Sequence, residues 1–298
     1  MAAALLSGCG SGGKTAGPVQ TVAAPRARLA PGPRARIVVI VMENREYGDV
    51  LGSADAPFIT GLARRYALAS QMYGVSHPSL PNYLALLGGS TFGIDSDCTD
   101  CHASGASLAT QLAGAGRSWK GYMEDLPHPC FTGSGAAGYA KKHDPFAYFP
   151  AITSDPAQCR RIVPLTELAA DERSGALPDF AWISPNLCHD MHDCSTRTGD
   201  RFLAALVPPL LRALGPRGLL FLTFDEGTSD DRCCGLAAGG HIVMVMAGGG
   251  ARRGARLGTP VDHYSVLQTV EDLLGVARLR GAGCHCTPSL QPLLNGGR

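Results

Sequence analysis

The run RIVVIVM, Arg36–Met42, decides the fold, because its unbroken apolar and mostly β-branched residues predict a strand that is buried on both faces. Strands of this kind belong to parallel sheets. Glu43 and Asn44 follow the run directly. Ligands of open α/β sheets bind beyond the carboxyl ends of the strands, so these two oxygen-bearing side chains mark a candidate site. The alternative is that they cap the turn after the strand.

Further apolar runs extend the predicted sheet. Buried strands are predicted at Asp179–Ser184, Leu219–Phe224 and His241–Ala247. Helical spacing is present in Ala56–Ala69, Phe202–Leu214 and Val266–Leu274. Strands that alternate with helices along the chain predict an α/β fold with a mostly parallel sheet.

The segment Thr91–Pro164 is rich in glycine and loops, with a helix predicted at Ser107–Ala115 and a strand at Ser118–Tyr122. Loops of this length inside a domain are usually functional or held by disulfides. Their candidate contact residues are Lys120, Tyr122, His128 and His143. Taken alone, each of these four is better explained as a surface residue.

Length and charge restrict the class of protein. A chain of 298 residues is long enough for one α/β domain with a sizeable core. Lys and Arg total 26 against 25 Asp and Glu, so no broad basic surface predicts nucleic acid as a partner. A charged ligand must therefore be bound by a local group of residues.

The N-terminal residues predict export. Leu6-Ser7-Gly8-Cys9, after the apolar run Ala2–Leu6, fits the site at which bacterial lipoprotein signal peptides are cut and the cysteine is lipidated. A positively charged n-region is missing, so a chance match is the alternative. We expect a partial signal peptide at residues 1–9, a disordered linker at 10–35 and one catalytic domain at 36–298. The protein would then be extracellular or a cell-surface lipoprotein.

The 11 cysteines also favour an oxidising compartment, because no CxxC pair with zinc-site spacing accounts for them. If Cys9 carries lipid, the remaining cysteines can form five bridges. Local pairs are predicted for Cys98 with Cys101, Cys130 with Cys159, and Cys188 with Cys194. Cys233 and Cys234 are expected to pair elsewhere, with Cys284 and Cys286 as candidates.

The segment GVSHPSLPNY, Gly74–Tyr83, presents a hydroxyl on a stiff backbone. Ser79 lies between Pro78 and Pro81, which restrict the chain on both sides. A serine nucleophile needs such positioning against a charge or base. A helix predicted from Asn82 would point its N-terminus at the serine and offer its dipole to a phosphate. The alternative is a surface turn bounded by prolines.

Two acidic pairs predict a metal site. Asp225 and Glu226 end the strand Leu219–Phe224, just as Glu43 and Asn44 end the first strand. In a parallel sheet both pairs would meet at one edge. Oxygen ligands of this kind suit Ca²⁺, Mg²⁺ or Mn²⁺ better than zinc. A cation beside Ser79 would lower the pKa of the serine hydroxyl and neutralise a phosphoryl oxygen. The combination of serine and metal site therefore predicts phosphoryl transfer.

A polar cluster follows the strand Asp179–Ser184. It contains His189, Asp190, His192 and Asp193, and we expect Cys188 and Cys194 to staple it. Two histidines and two aspartates within five residues favour a functional site over loop filler. Zinc binding by these four residues is a weaker alternative.

An ordered set of motifs resembles the phosphoesterase branch of the alkaline-phosphatase superfamily. The motifs are IVVIVMENREYGDV, HPSLPNYLAL, SWKGYMEDLP, SPNLCHDMHDC, TFDEG and DHYSVLQTVEDLLGV, between residues 36 and 276. This branch includes secreted bacterial acid phosphatases, phosphatidylinositol-3-phosphatases and non-specific phospholipases C. The resemblance implies a three-layer α/β/α sandwich. The phospholipases C usually carry Arg at the position of Tyr83, so the phosphatases are the more similar group.

The resemblance also implies roles for individual residues. Ser79 would be the nucleophile, and one divalent cation would be held by Glu43, Asn44, Ser79, Asp225 and Glu226. His192 and His143 would act at the phosphate, with His192 as general acid. Asn82 and Lys120 are expected to bind substrate. His77 is interpreted as structural.

The predicted activity is hydrolysis of a phosphomonoester, such as a phosphoinositide or another lipid phosphate, through a phosphoserine. The alternative activity is a phospholipase C-type phosphodiesterase. A catalytically silent cell-surface binding protein is the alternative of another class.

Overall fold

The computed structural model describes residues 35–235 and 237–296. The strands, in chain order, are β1 Ile37–Met42, β2 Ala67–Tyr73, β3 Trp119–Met123, β4 Gly135–Ala136, β5 Tyr139–Ala140, β6 Ile162–Pro164, β7 Phe180–Ser184, β8 Leu219–Phe224, β9 His241–Ala247, β10 Arg256–Leu257 and β11 Val261–Asp262. The α-helices are α1 Tyr47–Val50, α2 Pro57–Arg65, α3 Ser79–Gly88, α4 Leu108–Gly114, α5 Pro150–Thr153, α6 Pro156–Cys159, α7 Leu168–Ser174, α8 Thr196–Leu214 and α9 His263–Leu274. The predicted leader and nearly all of the predicted linker lie outside the described residues.

The main sheet is mostly parallel and lies between two layers of helices, which confirms the predicted architecture. Its strand order is β10-β2-β9-β8-β1-β7-β3-β6, with β11 paired to β2 and only β9 antiparallel to its neighbours. Helices α2, α7 and α8 pack together on one face, and α3, α4 and α9 on the other. The strands β4 and β5 form a separate ribbon.

The strand β1 occupies the middle of the sheet, where every residue from Ile37 to Met42 is buried. It pairs with β7 on one side and β8 on the other. The register places Met42 opposite Phe224, so β1 and β8 end side by side. The two acidic pairs that follow these strands therefore meet at one edge, as the sequence predicts.

The helix predicted at Ala56–Ala69 is shorter than its apolar spacing suggests. It ends at Arg65, and Ala67 already begins β2. Alanine and leucine at positions 67–69 suit a helix, but here they pair with β9 and β10, and this sheet pairing outweighs the local preference. Helix α3 begins at Ser79 and not at Asn82, which places the serine in the first turn.

Five disulfides are formed among the described residues. The three predicted local pairs are present: Cys98–Cys101, Cys130–Cys159 and Cys188–Cys194. The prediction for the remaining four cysteines was wrong, because Cys233 bonds to Cys234 and Cys284 bonds to Cys286. Each of these cysteines bonds to a partner in its own loop, at Cα–Cα distances of 3.8 Å for Cys233–Cys234 and 5.1 Å for Cys284–Cys286. No disulfide therefore joins these two loops to each other.

Within the described part of the chain, no helix combines the length and the apolar character that crossing a bilayer requires.

Helix α2 depends on a carboxylate from another helix for its N-terminal cap. Its own N-cap residue, Ala56, offers no side-chain acceptor, and the buried Asp200 of α8 accepts from the amides of Phe58 and Ile59 at 3.1 and 2.9 Å. We expect Asp200→Ala to lower the free energy of unfolding by about 1–3 kcal/mol, because two buried donors lose their acceptor. Urea denaturation measures the change.

The matched control is Asp55→Ala, which removes an exposed carboxylate paired with Arg197. An exposed pair of this kind contributes about 0–1 kcal/mol. Equal stability losses in the two variants would contradict the capping role of Asp200.

Candidate active site

The buried hydroxyl of Ser79 lies between two carboxylates. Its Oγ donates to Glu43 Oε2 at 3.1 Å or to Glu226 Oε1 at 3.2 Å. Glu43 directly follows β1, Glu226 is the second residue after β8, and Ser79 begins α3. Three segments that are distant in sequence therefore form this contact. A hydroxyl in this position has an acceptor ready for its proton.

Asn44 and Asp225 complete a group of oxygen atoms around the serine. The backbone N–H of Asn44 donates to Asp225 Oδ1 at 3.3 Å, and the φ of 38° at Asn44 is a left-handed conformation that asparagine tolerates well. Asn44 Oδ1 and Asp225 Oδ2 are buried and have no hydrogen-bond donor. Buried acceptors without donors are rare in proteins, and a cation would satisfy both.

The charges of this group also fit a divalent cation. Burial, and then the repulsion from Asp225, raises the pKa of Glu43 well above its usual value. Burial and the neighbouring Glu226 do the same to the pKa of Asp225. Three carboxylates this close cannot all ionise without a counter-charge. The five predicted ligands, Glu43, Asn44, Ser79, Asp225 and Glu226, are therefore a donor set that suits Ca²⁺, Mg²⁺ or Mn²⁺.

The other carboxylate oxygen of Glu43, Oε1, contacts two further side chains. The Tyr83 hydroxyl donates to Glu43 Oε1, and His143 Nε2 lies 3.2 Å from the same oxygen. His143 Nδ1 lies 3.1 Å from Asp190 Oδ2, and its ring stacks on Tyr83. Burial lowers the pKa of His143 well below its usual value and raises that of Asp190 to about 7.

The assignment of His143 to the phosphate stays a prediction. Its ring is buried, and both ring nitrogens face carboxylates, Glu43 on one side and Asp190 on the other. These contacts are ion-pair distances, and Nε2 has no hydrogen-bond partner. The ring thus lies beside Glu43, where it can orient that carboxylate.

His77 supports Glu226 in a similar way, in line with its structural interpretation. Its Nδ1 contacts Glu226 Oε2, and its Nε2 lies 3.0 Å from the Ser229 carbonyl oxygen. Burial alone would lower the pKa of His77, but the Ser229 carbonyl and the Glu226 carboxylate raise it. The imidazole is turned away from the Ser79 hydroxyl, which bonds to the other oxygen of Glu226.

Asn82 braces the loop before the serine. Its Oδ1 accepts from the amides of Val75 and Ser76 at 2.8 and 3.0 Å. Its Nδ2 donates to the carbonyls of Ser76 and Pro78 at 2.8 and 3.2 Å. An asparagine amide has two donors and a two-lone-pair acceptor, so all of its capacity is used. The structure thus gives Asn82 a role in shaping the backbone, and the predicted contact with substrate is not available to it.

Lys120 lies away from this group. Its Nζ contacts Asp171 and Glu167 at 2.7 and 3.3 Å, because the side chain extends from the middle of β3 towards α7. An ammonium neutralised by two carboxylates at that position is a structural ion pair.

A different lysine, Lys142, supplies the cation near the serine. Its Nζ lies 3.0 Å from Asp97 Oδ2 and 3.3 Å from His192 Nε2. Burial would lower its pKa, but Asp97 and the charge of Glu43 raise it, so the ammonium remains charged. Since an ammonium has only donors, His192 Nε2 accepts here, and Nδ1 donates to Asp193 Oδ1 at 2.7 Å.

Asp97 occupies the N-terminus of α3. Its Oδ1 accepts from the Leu80 amide at 2.9 Å, next to the nucleophile position. The adjacent Cys98–Cys101 disulfide holds its loop. Sequence reasoning missed Asp97 and Lys142. The signals were present, since Lys142 directly precedes the predicted His143 and Asp97 directly precedes a predicted disulfide.

The four residues of the zinc alternative diverge. His189 turns to Glu124, at 2.9 Å, and stacks on Phe202. Asp190 faces His143, while His192 pairs with Asp193. Asp190 and His192 therefore lie near the serine site, and the four residues do not converge on one zinc centre.

Proteins that this chain is similar to include named phosphatases. The model of the Phosphoesterase family matches residues 49–277. A phosphatidylinositol-3-phosphatase of Mycobacterium tuberculosis is 33% identical over 82% of this chain and 78% of its own length. An acid phosphatase of Aspergillus fumigatus is 29% identical over 84% of this chain and 57% of its own length. The chain thus spans little more than half of that fungal relative.

Solved structures support the fold. An alkaline-phosphatase-superfamily protein from Vibrio parahaemolyticus aligns with a TM-score of 0.58 at 13% identity, over 88% of this chain and 72% of its own. A phosphonate monoester hydrolase of Agrobacterium radiobacter aligns with a TM-score of 0.56 at 14% identity, over 89% and 78%. Identities this low speak for the architecture alone.

The raised carboxylate pKa values predict a pH-dependent response to cations. Without a cation, the folded state holds protons that the unfolded state releases, so stability falls as the pH rises above about 4. Added Mg²⁺, Ca²⁺ or Mn²⁺ should therefore raise the Tm more at about pH 8 than at about pH 5. At a concentration 100-fold above Kd the gain is about 2.7 kcal/mol, or about 5–10 °C. Calorimetry in chelated and metal-loaded buffers measures it.

The cation response should disappear in the double variant Asp225→Asn with Glu226→Gln. The control is Asp230→Asn with Asp231→Asn, an exposed pair in the next loop with the same charge change. If none of the cations shifts the Tm, or if the first double variant still responds, the proposed ligand set is wrong.

Proposed function

This chain belongs to the Phosphoesterase family, and from its site we propose that it is a metal-dependent phosphomonoesterase that acts through a phosphoserine at Ser79. The observation that carries the proposal is the Ser79 hydroxyl, buried at the start of α3 within hydrogen-bond distance of Glu43 and Glu226. Membership of the family and the names of the relatives support hydrolysis of phosphoric esters.

Ser79 is the proposed nucleophile. Its Oγ forms a bond to phosphorus, the bond from phosphorus to the ester oxygen breaks, and the alcohol leaves with a proton. In this first step the Ser79 proton passes to Glu43 or Glu226, which accept from the hydroxyl in the free protein. Water then attacks the phosphoserine and gives a proton to the group that protonated the alcohol. The bond between phosphorus and Oγ breaks, Oγ regains its proton from the carboxyl group, and inorganic phosphate leaves.

Glu43, Asn44, Ser79, Asp225 and Glu226 would hold the cation. When bound, the cation would lower the pKa of the Ser79 hydroxyl and offset charge on a phosphoryl oxygen. Tyr83, His143 and His77 hold the two glutamates in place around it.

Lys142 takes the role first considered for Lys120. Its ammonium can exchange the contact with Asp97 or His192 for one with a phosphate oxygen. That oxygen would lie at the N-terminus of α3, where the helix dipole also favours an anion. His192 remains the proposed general acid. Once Lys142 bonds to phosphate, Nε2 can carry the proton for the leaving oxygen, and Asp193 at Nδ1 stabilises the imidazolium.

The substrate class proposed is a phosphomonoester. Four relatives have acid phosphatase in their names and one is named as a phosphatidylinositol-3-phosphatase, so a phosphoinositide remains one candidate. The five disulfides support an oxidising compartment and hence an extracellular or cell-surface location.

Replacing the nucleophile tests the mechanism. Ser79→Ala should lower kcat for p-nitrophenyl phosphate by about 10³-fold or more, because no other hydroxyl takes its place. Acid-quenched wild-type protein should carry a phosphoryl group on the peptide that contains Ser79, as read by mass spectrometry.

The control is Ser76→Ala in the same loop, whose hydroxyl donates to the His77 carbonyl and should be dispensable. Near-wild-type turnover in Ser79→Ala would refute the nucleophile, and loss in both variants would point to damage of the loop.

The two lysines provide a second, paired test. Lys142→Gln should lower kcat/KM by about 10–100-fold, mainly through KM, since a charge-assisted hydrogen bond to phosphate is lost. Lys120→Gln removes the same charge from a structural pair and should change kcat/KM by less than about threefold. A larger loss in Lys120→Gln than in Lys142→Gln would restore the original assignment.

A further inference from the structure

An exposed arginine cluster lies at the edge of the sheet around β10. Arg65 and Arg253 place their guanidinium carbons 5.4 and 5.8 Å from the ring centre of Tyr66. Arg256 Nη1 donates to the Tyr66 carbonyl at 3.1 Å. Arg64 and Arg252 are the exposed neighbours of these residues in sequence. We call these five residues the Tyr66 arginine cluster.

The cluster has no acidic partners. None of its five arginines forms an ion pair within 4.0 Å with any residue that the structure describes. The segments that carry the cluster, residues 56–73 and 241–261, contain neither Asp nor Glu. Asp49 of the neighbouring helix α1 forms no ion pair with the cluster. In a chain with a net charge of only +1, this is a marked local excess.

Helix dipoles explain only part of this arrangement. Arg64 and Arg65 end α2, where a positive charge is favourable. Arg252, Arg253 and Arg256 lie in the loop after β9 and in β10, outside the last turn of any α-helix. A surface that collects guanidinium groups without counter-charges suits a partner with many phosphate oxygens.

The cluster lies at the opposite end of the sheet from Ser79. β10 pairs in parallel with the start of β2, with Arg256 opposite Leu68, whereas the other end of β2 leads to Ser79. Seven residues of β2 place the two ends on the order of 20 Å apart. β1 also begins at this amino end of the sheet, so the described part of the chain starts on the side of the cluster.

We infer that the Tyr66 arginine cluster binds an anionic phospholipid surface and holds the catalytic site facing away from it. The described chain starts at this end of the sheet, and the sequence before it carries the candidate lipid site at Cys9, which favours a membrane over a soluble polyanion. The inferred substrate of a chain docked in this way is then a soluble phosphomonoester or one presented from an opposing surface. A lipid in the same bilayer would lie beyond the reach of Ser79.

Vesicle binding tests the inference with the full 298-residue chain, purified without lipid modification. The probes are vesicles of phosphatidylglycerol and phosphatidylcholine, and vesicles of phosphatidylcholine alone. We expect at least tenfold stronger binding to the anionic vesicles, with release in about 0.5 M NaCl. Arg65→Gln, Arg253→Gln and Arg256→Gln together should weaken this binding at least tenfold, since each arginine contributes up to about fivefold.

The control triple variant, Arg197→Gln, Arg201→Gln and Arg278→Gln, removes the same charge elsewhere and should bind within about threefold of wild type. Both triple variants should turn over p-nitrophenyl phosphate normally, as should wild type bound to vesicles. This readout separates failure of docking from failure of the proposed activity. Equal binding by the two triple variants, equal binding to both vesicles, or tighter binding to heparin than to anionic vesicles would each overturn the inference.

Discussion

The structure depends on the electrostatic problem of three carboxylates brought together by sheet pairing. β1 and β8 end side by side, so Glu43 and Asp225 are buried next to each other, with Glu226 one residue further. Their mutual repulsion and loss of water are costly unless a positive charge or protons offset them. The proposed cation would answer this problem, because it would stabilise the carboxylates while it lowers the pKa of the serine hydroxyl.

The surroundings of the carboxylates divide into positioning groups and exchangeable groups. Tyr83, His143 and His77 contact the two glutamates and hold them in place. Lys142 and Asp97, by contrast, neutralise each other at the rim, where either can take a new partner. A site that binds and hydrolyses an anion needs both kinds of group: fixed side chains that hold its carboxylates in place, and charged side chains that can exchange their partner for the substrate.

The strands and acidic pairs were predictable from the sequence because burial in a parallel sheet leaves an unbroken apolar run. Leu219–Phe224 and His241–Ala247 have the predicted boundaries. The roles of the loop residues were not predictable in this way. The sequence alone does not distinguish Lys120 from Lys142 as a phosphate-binding residue. The distinction comes from their tertiary contacts, with Asp171 for Lys120 and with Asp97 for Lys142. Likewise, Asn82 adjoins the serine in sequence, yet the backbone before it uses all of its hydrogen bonds.

The separation of the site residues along the chain has a consequence for folding. Glu43, Ser79 and Glu226 meet only after β1 has paired with β8, two strands that are far apart in the sequence. Long-range pairing of this kind forms slowly, because loop closure costs entropy before any contact compensates. No fragment that lacks β8, and no intermediate in which it is unpaired, contains the site. Recovery of phosphatase activity would therefore report completion of the central sheet and not merely collapse of the chain.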